Sequence, residues 1–202
     1  MTVPGNITYA LSMARWEPNA KERLVRAALD LFTEQGYDAT TVAEIADRAG
    51  LTKTTFFRHF ADKKEVLFAG QAVHTTLLAE AIAEAPVSAT PLEAAAAALD
   101  ALTATFTADR RDIAAKLRPL IAANPELQER AVYKNAKLTE SMAAALQARG
   151  TPEPTAALAA ALAIHAFHLA FGRWADPANP QSLTELTRHA LDELKAAAAT
   201  LT

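Results

Sequence analysis

Residues 51–60 read LTKTTFFRHF. Hydroxyls and a lysine come first, then three phenylalanines within five residues, with an arginine and a histidine set among them. On a helical wheel of about 100° per residue, Phe56 and Phe60 lie about 40° apart, on a face suited to a core. Phe57 is rotated about 100° from Phe56, to the rim of that face. Lys53, Thr54 and Thr55 are left as an exposed first turn. The stretch joins an anchor to a surface that can read something.

Immediately upstream, Val42, Ile45, Ala46 and Ala49 share one face of a second short helix, which ends at Gly50. Two helices of about eight and seven residues joined by AGLT make a helix-turn-helix with glycine in the turn. In such a unit the first turn of the second helix touches base edges. Capping-box spacing predicts the helix starts nearby: Asn19 with Glu22, Thr41 with Glu44, and Asp62 with Glu65. The helices predicted from these signals cover 20–35, 42–49, 53–60 and 63–84. Leu24, Ala28, Leu31 and Phe32 face the core of the first, and Gly36 closes it. The fourth would run on the order of 30 Å, long enough to leave a small three-helix domain and enter the next.

Beyond APVSATP (85–91) the chain stays helical. Thr90 with Pro91 starts one helix, Pro119 kinks or ends another, and Asn124 with Pro125 starts a third that Gly150 closes. An apolar helix is predicted over 154–174, and Ser182 with Glu185 caps the last. Alternating strand patterns are nearly absent. The expectation is an all-α fold of about nine helices: an N-terminal extension (1–18), a helix-turn-helix DNA-binding domain (19–70, motif about 41–60) and a second helical domain (71–202), whose ligand-binding and dimerisation roles are implied only by the family resemblance given below.

Composition narrows the function classes. The 202 residues suffice for one large domain or two small ones. With no cysteine, disulfides, thiolate metal sites and thiol nucleophiles are excluded. Residues 1–70 carry 9 Lys and Arg against 9 Asp and Glu, and residues 71–202 carry 11 against 14. A nucleic-acid partner would therefore have to be held by a local patch. No apolar run approaches the roughly 18 residues of a membrane span, and the N-terminus lacks a signal-peptide pattern, so a soluble, cytoplasmic protein is expected. Met13 opens MARWEPNAKERL, which reads like a natural start. Arg15 and Trp16 would form either a minor-groove arm or part of a disordered tail.

The stretch RLVRAALDLFTEQGYDATTVAEIADRAGLTKTTFFRHFADKKEVLF (23–68) closely resembles the DNA-binding region of the tetracycline-repressor (TetR) family of transcriptional regulators. The resemblance implies roles by position. Thr41 would meet a phosphate at the start of the second helix. Lys53, Thr54 and Thr55 would read bases, and His59 and Lys63 would lie at the DNA backbone. Phe57 stands where the family commonly has tyrosine, which keeps the packing and loses a phosphate hydrogen bond; Arg58 beside it is a candidate to compensate. The family also implies a homodimer on a palindromic double-stranded operator, with reading helices roughly 34–36 Å apart, and an unknown small-molecule inducer. No cofactor and no membrane partner are implied.

The second domain holds no motif. Phe106, Tyr133, Phe167 and Trp174, with His165 and His168, are candidates for a ligand pocket, against the plainer reading of core aromatics. For the family's dimer interface the candidates are Leu158, Leu162 and Leu169 on the apolar helix, and Leu183, Leu186, Leu191 and Leu194 on the last. His165 and His168, with His74 or His189, suggest a metal, but no carboxylate has matching spacing, so no metal is expected. Arg110, Arg111, Lys116 and Arg118 read as a solvated basic face. No G-x-S-x-G, H-E-x-x-H or phosphate-binding glycine loop is present. A ligand-responsive repressor is thus the expected function and an enzyme is not. The alternatives are a helical adaptor whose helix-turn-helix no longer reads DNA, or an all-α enzyme.

Overall fold

The computed structural model describes residues 19–201, apart from the side chains of Ala108 and Asp109. Met13, Arg15 and Trp16 lie outside the described residues. The described residues form nine α-helices and no strand: α1 (Ala20–Gln35), α2 (Val42–Arg48), α3 (Lys53–His59), α4 (Gln71–Glu84), α5 (Pro91–Thr103), α6 (Ala108–Ala123), α7 (Pro125–Ala148), α8 (Glu153–Trp174) and α9 (Leu183–Ala199).

Two of the predicted capping boxes close on both sides, Thr41 with Glu44 and Ser182 with Glu185. A third forms at Thr90 and Glu93, with Pro91 in the first turn, where its missing N–H removes one orphan donor. Asn19 does not make the box expected of it. It adopts a left-handed conformation (φ 80°), so its side chain does not cap α1. Asp62 makes half a box, accepting from the Glu65 N–H at 3.0 Å. The chain then forms a 3-10 turn (Glu65–Phe68) and becomes α-helical only at Gln71. The expected single helix over 63–84 is therefore two geometries in series. Pro119 is absorbed inside α6.

The buried side chains divide into two cores. The first gathers α1, α2, α3 and the 3-10 turn around Leu24, Phe32, Ile45, Phe56, Phe60 and Val66. It does not stop at residue 70: Leu127 of α7 is fully buried in it, and Ile113, Leu117 and Leu120 of α6 pack against it. The second core joins α4, α5, α8, α9 and the later part of α7, with Leu78, Leu99, Met142, Ala160 and Trp174 among its members. Alanines fill much of it, and small side chains let helix axes approach closely.

Two helical stretches, Glu65–Glu84 and α8, are long and apolar enough to cross a membrane, contrary to the reading of the bare sequence. Packing accounts for the apolarity of α8. Nine residues of α8 are buried, and the helix is flanked by α5, α7 and α9. Glu65–Glu84 supplies Val66 and Leu67 to one core and Leu78 and Ile82 to the other.

Long cations tie the pieces together. Arg149 donates to the carbonyls of Ile82, Ala85 and Pro86 at 2.8–3.0 Å, satisfying oxygens that the end of α4 leaves unpaired. The expected solvated basic face does similar work. Arg111 donates to the Asn179 and Gln181 carbonyls and lies 5.4 Å from the Trp174 ring centre. Arg118 donates to the Gly172 carbonyl, Lys116 pairs with Asp30 of α1 at 3.0 Å, and Arg110 lies 6.0 Å from the Phe106 ring centre.

Candidate nucleic-acid interface

Helix α3 is held from below. Phe56 is fully buried, with the rings of Phe57 and Phe60 each 5.6 Å away. Thr52 caps the helix by accepting from the Thr55 N–H at 3.1 Å. The turn before it requires glycine: Gly50 has φ 64°, and a Cβ there would come within 2.7 Å of the Arg23 guanidinium. That guanidinium donates to the Ala49 carbonyl at the end of α2. The angle between α2 and α3 is thus fixed by a backbone that no larger residue could adopt without strain.

The eight sequence-selected DNA-binding residues separate into two groups on this frame. Lys53, Thr54, Phe57, Arg58 and His59 are exposed, Phe57 by 55% despite being aromatic. Thr41, Thr55 and Lys63 instead have their polar groups engaged within the chain, although Thr41 is itself exposed. The Thr41 N–H and hydroxyl both donate to Glu44, at 2.7 and 2.8 Å. These bonds hold the Glu44 carboxyl below its usual pKa, so a carboxylate already occupies this helix start. Thr55 is half-buried and shares a hydrogen bond of 3.0 Å with Thr52. The Lys63 ammonium donates to the carbonyls of Tyr37 and Thr40 at 2.7 and 3.2 Å and lies 4.2 Å from the Tyr37 ring centre. These three are engaged within the chain, and the other five leave an exposed surface along α3. Thr52, which the sequence reading passed over, is the true cap of α3; its place directly before the helix was the available signal.

The expected ligand residues are only partly brought together. Phe106 lies 5.8–6.0 Å from Phe167, Phe171 and Trp174, in edge-on packing. Phe171 was missed, although it stands four residues after Phe167 and three before Trp174. His74 joins the cluster, 5.6 Å from Phe106. Burial, with the Arg110 charge second, holds His74 below its usual pKa; burial and then His165 do the same for His168. Tyr133 stands apart, half-exposed between Arg130 and Lys137, and His165 points outward. His189 pairs with Glu193 instead. Among the described residues no group of three possible metal ligands comes together.

The dimer candidates also divide. Leu183, Leu186 and Leu191 are buried in the chain's own core and so cannot form an outward face, while Leu194 is half-buried against it. Leu158 (61% exposed) and Leu169 (37%) do face outward, with Leu162 half-buried between them.

The family model for bacterial regulatory proteins of the tetR family matches residues 24–69. The chain is 38% identical over 82 residues to the HTH-type transcriptional regulator TcmR of Streptomyces glaucescens, a match covering 41% of this chain and 36% of that protein. It is 36% identical over 63 residues to the transcriptional activator FasR of Mycolicibacterium smegmatis, covering 31% of this chain and 29% of that one. The chain thus matches only about a third of the length of these relatives. A crystal structure from Mesorhizobium loti assigned to the TetR-family transcriptional regulators is 27% identical, spans 90% of this chain and 96% of that one, and superposes with a TM-score of 0.53. The Thermus thermophilus repressor FadR, solved with lauroyl-CoA, shares the fold at 24% identity and a TM-score of 0.53, over 86% and 92% of the two chains.

Proposed function

We infer that this chain, a member of the tetR family of bacterial regulatory proteins, is a sequence-specific DNA-binding transcriptional regulator, acting in the cytoplasm as a ligand-responsive repressor. The observation that carries this reading is the exposed turn of α3. Lys53 and Thr54 stand on the surface over a fully buried Phe56. The fold does not need a lysine and a threonine there, whereas a major groove does: lysine can donate to guanine O6 and N7, and a threonine methyl can meet a thymine methyl. Phe57, Arg58 and His59 extend the surface toward sugar and phosphate.

A second copy of the chain supplies the second reading head. Leu158, Leu162, His165 and Leu169 follow a heptad spacing along the outer face of α8. Pairing of this stripe with its symmetry mate covers it and presents two α3 helices to one face of a palindromic site. The effector is a small, apolar molecule that reaches the ring cluster around Phe106. It acts by favouring an arrangement of the two heads that no longer fits the operator. The alternatives, an adaptor or an enzyme, leave the exposed Lys53 and Thr54 without a purpose.

Selection of random duplex DNA by the purified protein, beside a Lys53→Ala, Thr54→Ala double variant, tests this. Enrichment of a palindrome by the parent protein, lost or altered in the variant, is the expected result. Equal behaviour of both proteins at low salt, with no enrichment, overturns the regulator reading.

A further inference from the structure

The reading head (α1, α2, α3 and the 3-10 turn) and the sensor (α4, α5, α8, α9 and the later part of α7) meet along the first half of α7. Three residues on one face of that helix, one turn apart, are bonded to the head. Glu126 accepts from Lys64 at 2.8 Å and from the Tyr37 hydroxyl at 3.3 Å. Arg130 and Lys134 both pair with the single carboxylate of Glu65, Lys134 at 3.1 Å. Gln71 at the start of α4 donates to the Lys134 carbonyl and closes the seam. The charges of the Glu65 triad are sheltered, whereas Glu126 is 52% exposed. The side chains of Glu65, Lys134 and Arg130 are 18%, 19% and 27% exposed, against 63% and 35% for the surface pair Arg188 and Asp100. Salt screens such an enclosed triad less than a surface pair. Burial pushes the Glu65 carboxyl up, yet the hydrogen bonds from Arg130 and Lys134 outweigh it and leave the pKa below its usual value.

The same helix reaches both cores. Leu127 is buried in the head, while Leu138, Met142 and Leu146 lie in the sensor core at four-residue spacing. The covalent path from the head, by contrast, runs through the 3-10 turn and Gly70. A groove of about 400 Å³ lies beside the ion pairs, lined in part by Lys21, His59 and Phe68, and leaves the charged side chains room to separate.

We propose that these ion pairs form a clasp through which α7 sets the angle of the reading head, and with it the half-site spacing that the dimer accepts. Glu65 and Glu126 are then positioning residues, which touch no DNA and act through the orientation of α3. A change in the sensor that moves α7 reaches the head by straining or opening the clasp. The inference rests on the regulator reading above.

The test uses the full-length protein, the palindrome from the selection, variants of it with one or two base pairs added to or removed from the spacer, and a single half-site duplex. The proteins compared are the parent, Glu126→Gln, Glu65→Gln with Arg130→Gln and Lys134→Gln to avoid stranding a charge, and the swapped pair Lys64→Glu with Glu126→Lys. The parent should favour one spacing. The two neutralised variants should lose that preference by about fivefold or more, a typical size for coupling between sites, with half-site affinity unchanged. The swapped pair should restore it. An unchanged spacing preference in both neutralised variants overturns the clasp. So does an equal loss on half-sites and on every spacing, which is what a purely structural role gives. Failure of the parent protein to prefer any palindrome overturns the regulator reading, and the clasp with it.

Discussion

In the reading head Phe56 is sealed, while Lys53, Thr54, Arg58 and the ring of Phe57 are exposed. The sensor reverses this. Its distinctive rings, Phe106, Phe167, Phe171 and Trp174, face one another, and its outer helix α8 presents leucines. Under the proposed function, a head that reads a large polyanion must display its chemistry, and a domain that binds a small apolar molecule has to hide it. Function is consequently legible from outside in the first region, and from outside only partner contact is legible in the second.

The sharpest way to break that contrast is to empty the head's anchor. Phe56→Ala should cost about 3–5 kcal/mol, the range for a buried aromatic. It should abolish specific DNA binding while amide exchange in α8 and α9 stays protected. Loss of protection in both regions at once would mean the two cores are one cooperative unit. Next comes Leu127→Ala, expected to cost about 2–5 kcal/mol. Although the residue belongs to α7, the exchange rates that rise should be those of α1 to α3. A rise confined to α7 and α8 would return Leu127 to the sensor.

Lys53→Ala should leave the denaturation midpoint unchanged and weaken specific binding by about 1–3 kcal/mol, in titrations against the selected operator and a scrambled duplex. Thr55→Ala should instead act through its bond to Thr52, so it should lower stability slightly and weaken both duplexes alike. The histidines give a smaller, pH-dependent effect. In the folded chain the pKa values of His74 and His168 lie below their usual value near 6.5, so the unfolded chain takes up protons first as pH falls. Their stability contribution is therefore complete above about pH 6.5 and is lost as pH falls below it. Thermal melts from pH 7.5 to 5.5 should show the decline, and His74→Phe should flatten it. Smallest of all, Arg58→Ala should reduce the salt slope of binding by about 0.9 if it holds one phosphate. An unchanged slope would leave the compensation for Phe57 to another cation.

Much of the fold could be read in advance because its helix starts are written locally. Thr41 with Glu44 and Ser182 with Glu185 need only their own four residues, and both formed as spaced. Asn19 has the same spacing and fails because its backbone is left-handed, a feature no spacing encodes. Lys63 was legible as a member of the motif but not as a residue whose ammonium is engaged within the chain. Its partners, the Tyr37 and Thr40 carbonyls, lie far along the chain and belong to the backbone. The leucines of α9 misled for a related reason. A helix at a bundle's rim has one apolar face, and periodicity does not say whether a neighbouring helix or another subunit covers it. The pairing of Glu65 with Arg130 and Lys134, some 65 residues apart, had no local signature at all.

The boundary near residue 70 is a boundary of sequence and not of matter. Because Leu127 and the α6 side chains Ile113, Leu117 and Leu120 complete the floor of the head, the motif that looks most transplantable in this protein does not carry its own foundations. A chimera joined at residue 70 would receive a reading helix above an open cavity, and would inherit specificity only from a host whose α6 and α7 happen to fill it. A graft that brings residues 113–134 along would arrive whole, which makes modularity here a property of noncontiguous pieces that must travel together.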